Sequence, residues 1–227
     1  YGQVETNLND SATNAIEEAE SDLFFRKRVN SSYVYEDKPI NKTYRFDVEN
    51  RGNVEVDDIV ITDVIPPQIE VTDIWSGRPD GTPPGYGDPI EVYYKTTLNT
   101  NWTALPGSPF TNSSTQVAVS SLGLAANETI QELRWDLGSL PVLYELKDLK
   151  YKADLLTTTD RNGDPVEAGD MIDNTGVITY TDFEGSKTGA SSGNIQVKTP
   201  RPVARLEKSL VGSSTVNHGD LVTFKLK

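Results

Sequence analysis

Cysteine is absent from the 227-residue chain, which removes disulfide staples, thiol catalysis and cysteine-rich zinc sites. A secreted eukaryotic domain of this size often carries a disulfide, so the absence favours a prokaryotic surface protein. Histidine occurs once, at His218, and methionine once. No apolar run approaches the length of a membrane span. Basic residues nowhere cluster: 21 Lys and Arg stand against 34 Asp and Glu, for a net charge of -13. Neither nucleic acid nor an anionic membrane surface is an expected partner for such a chain. No glycine-rich phosphate loop follows a strand and opens a helix. No spacing singles out a catalytic pair among the acids. The numbering opens at Tyr1 with no signal or anchor sequence, so a processed protein, or a piece of a longer one, is expected.

Helical periodicity is also scarce, with "SATNAIEEAES" (11–21) its one candidate. Alternation dominates instead. In "TYRFDVE", Tyr44, Phe46 and Val48 point one way and Thr43, Arg45, Asp47 and Glu49 the other, as in a half-buried strand. "NRGN" (50–53) is turn chemistry, and "VEVDDIVITDVI" is a second strand-rich run closed by Pro66-Pro67. Residues 76–89, rich in Gly and Pro, read as a loop. "IEVYYKTTL", "LKDLKYKADLLTT" and "NTGVITYTD" read as strands, and "ELRWDLGSL" as a strand followed by a Gly-Ser turn. Many short strands separated by turns predict an all-β fold: an Ig-like antiparallel β-sandwich with Greek-key connections.

The chain also begins again before it stops. "FFRKRV" places Lys27 between Phe25 and Val29, and "RLEKSL" places Lys208 between Leu206 and Leu210. Each lysine is followed by an alternating strand: Tyr44-Phe46-Val48 after 17 residues, and Val222-Phe224-Leu226 after 14. "VETNLNDSATNA" (4–15) echoes "ITYTDFEGSKTGA" (178–190). The spacing predicts a tandem array with a period of about 181 residues. On that reading, 1–22 ends one repeat or is a linker, 23–199 is a complete sandwich, and 200–227 starts the next repeat. His218 then lies outside the complete repeat, which excludes a Ser-His-Asp site there.

"KTYRFDVENRGNVEVDDIVITDVIP" resembles the bacterial surface-repeat family DUF11 and the related fimbrial isopeptide-forming domains. The matching residues are Asn50, Gly52, Asp63 and Pro66. "IEVYYKTT", "ELRWDLGSL" and "GDMIDNTGVITY" are similar to the family's later strands, its Gly-Leu turn and its closing Asn-Thr-Ala strand. Together these motifs cover most of 23–182. Two departures stand out: Gly176 replaces the usual alanine, and 75–135 is longer than in short members. The resemblance implies Ig-like sandwiches strung as stalks in cell-surface or fimbrial adhesins.

Three polar residues fall on apolar faces of separate strands. Alternation puts Lys27 with Phe25 and Val29, Asp63 with Ile59, Ile61 and Ile65, and Asn174 with Ile172, Ile178 and Tyr180. An intramolecular isopeptide bond needs this combination. An apolar site lowers the lysine pKa so that its amine can attack. Asn174 supplies the amide carbon, and a protonated Asp63 polarises that amide and moves protons as ammonia leaves. In the fimbrial relatives a lysine, an acid and an asparagine play these parts. A buried Lys-Asp ion pair with a hydrogen-bonded asparagine would leave the same pattern in the sequence.

In "DRNGDPVEAGD", Asp160, Asn162 and Asp164 alternate as in a calcium loop, with Glu167 and Asp170 behind them. Gly163 is misplaced for an EF-hand, however, and Asn-Gly is also a plain hairpin turn. Apart from calcium, no cofactor is expected. Trp75 and Trp102 flank loops and are candidates for gripping a host protein or glycan. Six glycosylation sequons start at Asn9, Asn30, Asn41, Asn101, Asn112 and Asn127, and outside glycosylating hosts they mark only a polar surface. The expectation is a non-enzymatic stalk repeat, extracellular, at the cell surface or on a fimbria. Its partners would be neighbouring repeats or neighbouring copies in a fibre. The alternatives are an adhesive module using loops within 75–135, and a fibre subunit exchanging terminal strands.

Overall fold

The computed structural model describes residues 18–35, 41–80, 88–111, 113–156, 158–199, 208–212, 215, 218 and 221–226. Residues 11–17 of the helix expected over 11–21, the echo at 4–15 and the sequons at Asn9 and Asn112 lie outside them. Glu18 to Ser21 are not helical.

In chain order the strands are β1 (Leu23–Val29), β2 (Tyr33–Tyr35), β3 (Lys42–Asn50), β4 (Val56–Val64), β5 (Ile69–Asp80), β6 (Glu91–Thr96), β7 (Thr103–Ala104) and β8 (Gln116–Ala118). They continue with β9 (Ile130–Leu140), β10 (Glu145–Leu155), β11 (Met171–Ile172), β12 (Thr175–Asp182), β13 (Gly185–Ser192), β14 (Ile195–Lys198), β15 (Lys208–Val211) and β16 (Thr223–Leu226). One 3-10 turn, Val119–Ser121, is the only helical element among the described residues.

Two antiparallel sheets form the sandwich. One has the order β1-β3-β10-β5-β8 and the other β13-β12-β4-β9-β6-β7. A small third sheet, β11-β14-β2, contains the parallel pair β14–β2. Alternation decides which side chains turn inward. Tyr44, Phe46 and Val48 of β3 are buried, and so are Ile59 and Ile61 of β4, Leu133, Trp135 and Leu137 of β9, and Leu149, Tyr151 and Ala153 of β10. The two sheets meet ring to ring, with Phe46 and Trp135 centroids 5.3 Å apart. The Trp135 indole N–H donates across the core to the carbonyl of Trp75 at 3.0 Å.

Two expected breaks prove to be strand. The stretch begun at Ile69 continues to Asp80, so residues 76–80 of the expected loop are strand. The Gly-Ser of "ELRWDLGSL" is not a turn, because β9 runs through it to Leu140. Gly138 has φ +66 and sits at a register shift opposite Ile59, so it forms a bulge. A Cβ there would lie 2.6 Å from a carboxylate oxygen of Asp88, which accepts hydrogen bonds from the backbone N–H and hydroxyl of Ser139.

The "NRGN" turn is built around Asn50, which is fully buried. Its amide donates to the carbonyls of Val54 (2.8 Å) and Leu140 (2.9 Å), and its carbonyl accepts from the Gly52 N–H at 3.1 Å. The incoming chain lies against this turn. Arg51 N–H donates to the Asp22 carbonyl, Asn53 N–H donates to the Glu20 carbonyl, and the Asn53 side chain bonds Glu18 and Glu20. A Cβ on Gly52 would meet the Glu20 carbonyl oxygen at 2.3 Å, so only glycine allows this approach.

Replacing Asn50 with alanine strands three backbone groups at once, two of them buried. We expect Asn50→Ala to lower unfolding free energy by about 2–4 kcal/mol in urea titrations. A change below about 0.5 kcal/mol would mean that the turn does not depend on its side chain.

Candidate functional site

β1 pairs antiparallel with β3, setting Lys27 opposite Phe46. On the facing sheet, β12 pairs with β4, setting Gly176 opposite Asp63. Asn174 lies two residues before Gly176, so its side chain takes the same inward direction. These registers bring Lys27, Asp63 and Asn174, the three residues picked out by their apolar faces, to one point between the sheets.

The lysine and aspartate side chains are wholly excluded from solvent, and Nζ lies 2.7 Å from Asp63 Oδ1. Nζ also donates to the side-chain oxygen of Asn174. The asparagine amide nitrogen donates in turn to the Tyr151 hydroxyl at 2.7 Å. Three rings surround the amine: Tyr44, Phe46 and Tyr151 have centroids 5.2, 5.6 and 5.9 Å from Nζ. Their faces favour a cation electrostatically while keeping water out. The strands are fixed behind the site. Lys27 N–H donates to Ser191 Oγ at 2.9 Å, and Gly193 N–H donates to the Asn174 carbonyl at 2.9 Å.

Burial shifts both partners towards neutrality. Desolvation lowers the Lys27 amine to about 8, against the opposing pull of Asp63. Desolvation likewise raises the Asp63 carboxyl, with Lys27 acting against it. A proton passing across the 2.7 Å contact from amine to carboxylate thus converts an ion pair into a neutral amine beside a carboxylic acid. The amine is then in contact with a carboxamide.

Gly176, the departure from the expected alanine, now has a physical reason. A Cβ at this position would stand 2.7 Å from Phe46 Cε1 and 3.5 Å from Lys27 Cδ. Its absence lets the Phe46 ring close over the amine.

One participant and one further buried lysine, outside the site, escaped the sequence reading. Tyr151 alternates with Leu149 and Ala153, and its phenol was not separable from an ordinary core tyrosine. Lys42 is a second buried lysine, and its Nζ donates to the Tyr33 carbonyl at 2.6 Å. Alternation with Tyr44 and Phe46 was the available signal for Lys42.

The other candidates are not brought together. Asp160 Oδ1 accepts the backbone N–H groups of Asn162 (2.8 Å) and Asp164 (3.0 Å), which is hairpin-turn chemistry. Asp164, Glu167 and Asp170 are exposed, and among the described residues no group of three His, Cys, Asp or Glu converges to hold a metal. Within this loop, Arg161 makes the bracing contacts. Its guanidinium donates to the carbonyls of Ile65, Pro66 and Ile130, bracing the segment against the start of β9 and the end of β4. Trp75 lies within β5 of the five-stranded sheet rather than beside a loop, with Lys150 and Lys152 over its ring. Trp102 precedes β7 of the other sheet, under Lys95 and Arg134. Belonging to different sheets, the two indoles do not share a binding face.

No family model and no curated protein matches the chain. Among solved structures, one titled "AvmM Catalyzes Macrocyclization in Alchivemycin A Biosynthesis" aligns over 81% of this chain and 92% of that one, at 10% identity and a TM-score of 0.32.

Gly176→Ala should destabilise the fold by about 1–3 kcal/mol in chemical denaturation. The cost should shrink in a Phe46→Leu background, because the added methyl then meets a smaller side chain. Equal costs in both backgrounds would show that the Phe46 contact is not what requires glycine.

Proposed function

We propose that this chain is a non-enzymatic structural repeat, a load-bearing stalk module of an extracellular surface or fimbrial protein. We further propose that Lys27 and Asn174 join as an intramolecular amide. The observation that carries the reading is a solvent-free lysine amine held between Asp63 and the Asn174 carboxamide, linking the first strand of one sheet to the facing sheet. The resemblance of the 42–66 segment to surface-repeat domains points the same way.

The chemistry follows from the neutral pair. With its proton on Asp63, the Lys27 amine attacks Asn174 Cγ. Asp63 shares its proton with the amide oxygen as negative charge develops there, and the carbon–nitrogen bond to Nδ2 breaks with loss of ammonia. Exclusion of water protects the product from hydrolysis. The bond closes a loop spanning 147 positions. By chain entropy that stabilises by about 5 kcal/mol, on the model developed for disulfides.

A second observation supports the tandem part of the reading. Among the described residues, β15 and β16 pair only with each other, with Lys208 opposite Leu226 and Leu210 opposite Phe224. This matches the β1–β3 pattern, where Lys27 faces Phe46 and Val29 faces Tyr44. The register is offset by two residues from the alignment suggested by the sequence, and the same face is kept. Lys208, Leu210 and Phe224 are exposed on that face, with the Lys208 amine 3.9 Å from the Phe224 ring centre. A hairpin with its apolar side uncovered fits the opening of a following sandwich.

Intact mass spectrometry checks the crosslink. The wild-type chain should weigh about 17 Da less than its sequence mass, one ammonia, while Asn174→Ala and Lys27→Arg should keep full mass. Digestion should yield a branched peptide joining Lys27 to Asn174. Full mass in the wild type rejects the bond and leaves a buried ion pair.

The rate also has a pH signature. The reactive pair holds a single proton, whether on nitrogen or on oxygen, so its population is flat near neutrality. In chain made by cell-free synthesis and followed by mass, crosslinking should slow as pH rises past about 8, where the pair loses that proton. It should also slow in acid, where Asp63 and Lys27 are both protonated. A rate that climbs steadily above pH 8 would mean that Asp63 acts as a carboxylate base.

Removing residues 200–227 should leave the melting temperature of the sandwich within about 2 °C, because the hairpin contributes no strand to either large sheet. A larger fall would make the hairpin part of this domain.

A further inference from the structure

Resting on that amide-forming reading, we propose that Tyr151 is the proton donor to the departing nitrogen, relaying a proton from Asp63 to Asn174 Nδ2. The reaction moves one proton from Lys27 to the ammonia that leaves. A neutral amine carries two hydrogens. One stays on the new amide nitrogen, and the other must reach Nδ2, which departs as NH3. Asp63 touches Lys27 and takes the first proton readily. The leaving nitrogen contacts a different group, the Tyr151 hydroxyl at 2.7 Å.

In the unreacted site Nδ2 is an amide nitrogen and therefore the donor in this contact. Attack at Cγ ends amide conjugation and leaves Nδ2 a basic amine with a lone pair. The same 2.7 Å contact then reverses, and the phenol O–H points at nitrogen. To donate, the phenol must be resupplied, and the acid beside it is Asp63: its carboxyl lies 2.7 Å from Nζ, the Tyr151 ring centre lies 5.9 Å from the same atom, and the two groups shift each other's titration. Asp63 Oδ2 is buried with no hydrogen-bond partner, so one oxygen of the acid remains uncommitted while Oδ1 serves the lysine. The step balances. Tyr151 gives its proton to Nδ2 and takes one from Asp63, Asp63 is reprotonated from Nζ, and the carbon–nitrogen bond breaks with loss of NH3. Burial holds the phenol well above its usual range, so Tyr151 works by accepting and donating together and never as a free phenolate.

Tyr44 is the alternative. Its ring centre lies 5.2 Å from Nζ, and its buried hydroxyl is raised by desolvation, with the Asn174 side chain acting against that shift. The geometry favours Tyr151 because Tyr151 already contacts Nδ2.

The test follows mass loss over time in cell-free product of the wild type, Tyr151→Phe and Tyr44→Phe, with circular dichroism to confirm folding. Wild type should lose ammonia, Tyr151→Phe should do so about 100-fold more slowly, and Tyr44→Phe should stay within about threefold of wild type. Meta-fluorotyrosine placed only at 151 alters hydroxyl acidity with little change of shape. It should change the rate, which a packing role would not. It also keeps the test decisive if Tyr151→Phe fails to fold. A wild-type rate in folded Tyr151→Phe, a rate indifferent to the fluorotyrosine, or a large loss in Tyr44→Phe alone overturns the relay. A wild type that keeps its full mass instead overturns the amide bond, and the relay with it.

Discussion

A lysine amine taken completely out of water is the constraint around which this sandwich is arranged. An isolated ammonium in such a place would cost several kcal/mol even after relaxation. The fold meets that cost with Asp63 from the facing sheet, a carboxamide from the segment entering β12, and three ring faces. Each of these fixes something else. Asp63 sets the approach of β4, Phe46 occupies space that Gly176 leaves open, and Tyr151 stacks on Tyr44 at 5.0 Å. The centre of the core is consequently polar and specific, while Ile59, Ile61, Trp135 and Leu133 fill the apolar volume around it.

The parts legible in the sequence share one property: they break a pattern. Lys27, Asp63 and Asn174 interrupt runs that are otherwise apolar on one face, so alternation alone exposes them. Tyr44, Phe46 and Val48 declare their side of β3 in the same way. Tyr151 interrupts nothing, since a tyrosine suits a core whether or not its hydroxyl has work there. β13 was missed because "GSKTGASS" offers no apolar alternation, and its place comes from pairing with β12 along eight consecutive residues. Gly138 was misread because a glycine that forms a bulge and one that forms a turn look alike until the partner strand is known.

Net charge was a poor guide to local surfaces for a related reason. The chain is strongly acidic, yet Arg26, Arg28 and Arg45 all converge on one carboxylate, Asp47, on the outer face of β1 and β3. Exposed pairs like these contribute little individually. Their grouping arises from cross-strand register, which composition does not report. The 160–170 loop is similar: its acids suggested a cation, while its arginine does the bracing.

The segment before β1 has a mechanical consequence. Asp22 meets Arg51 and Glu20 meets Asn53 by the same antiparallel pairing that sets Leu23 opposite Asn50. The ribbon between the first strand and β3 therefore extends past the formal end of β1, and Gly52 permits the closest approach. Tension drawn along β1 from Glu18 would meet these bonds side by side, in shear, so that they yield together. Tension drawn across the strand would part them in sequence, at much lower force. The fold's resistance to pulling is thus directional, and its strong axis is the line of its own first strand.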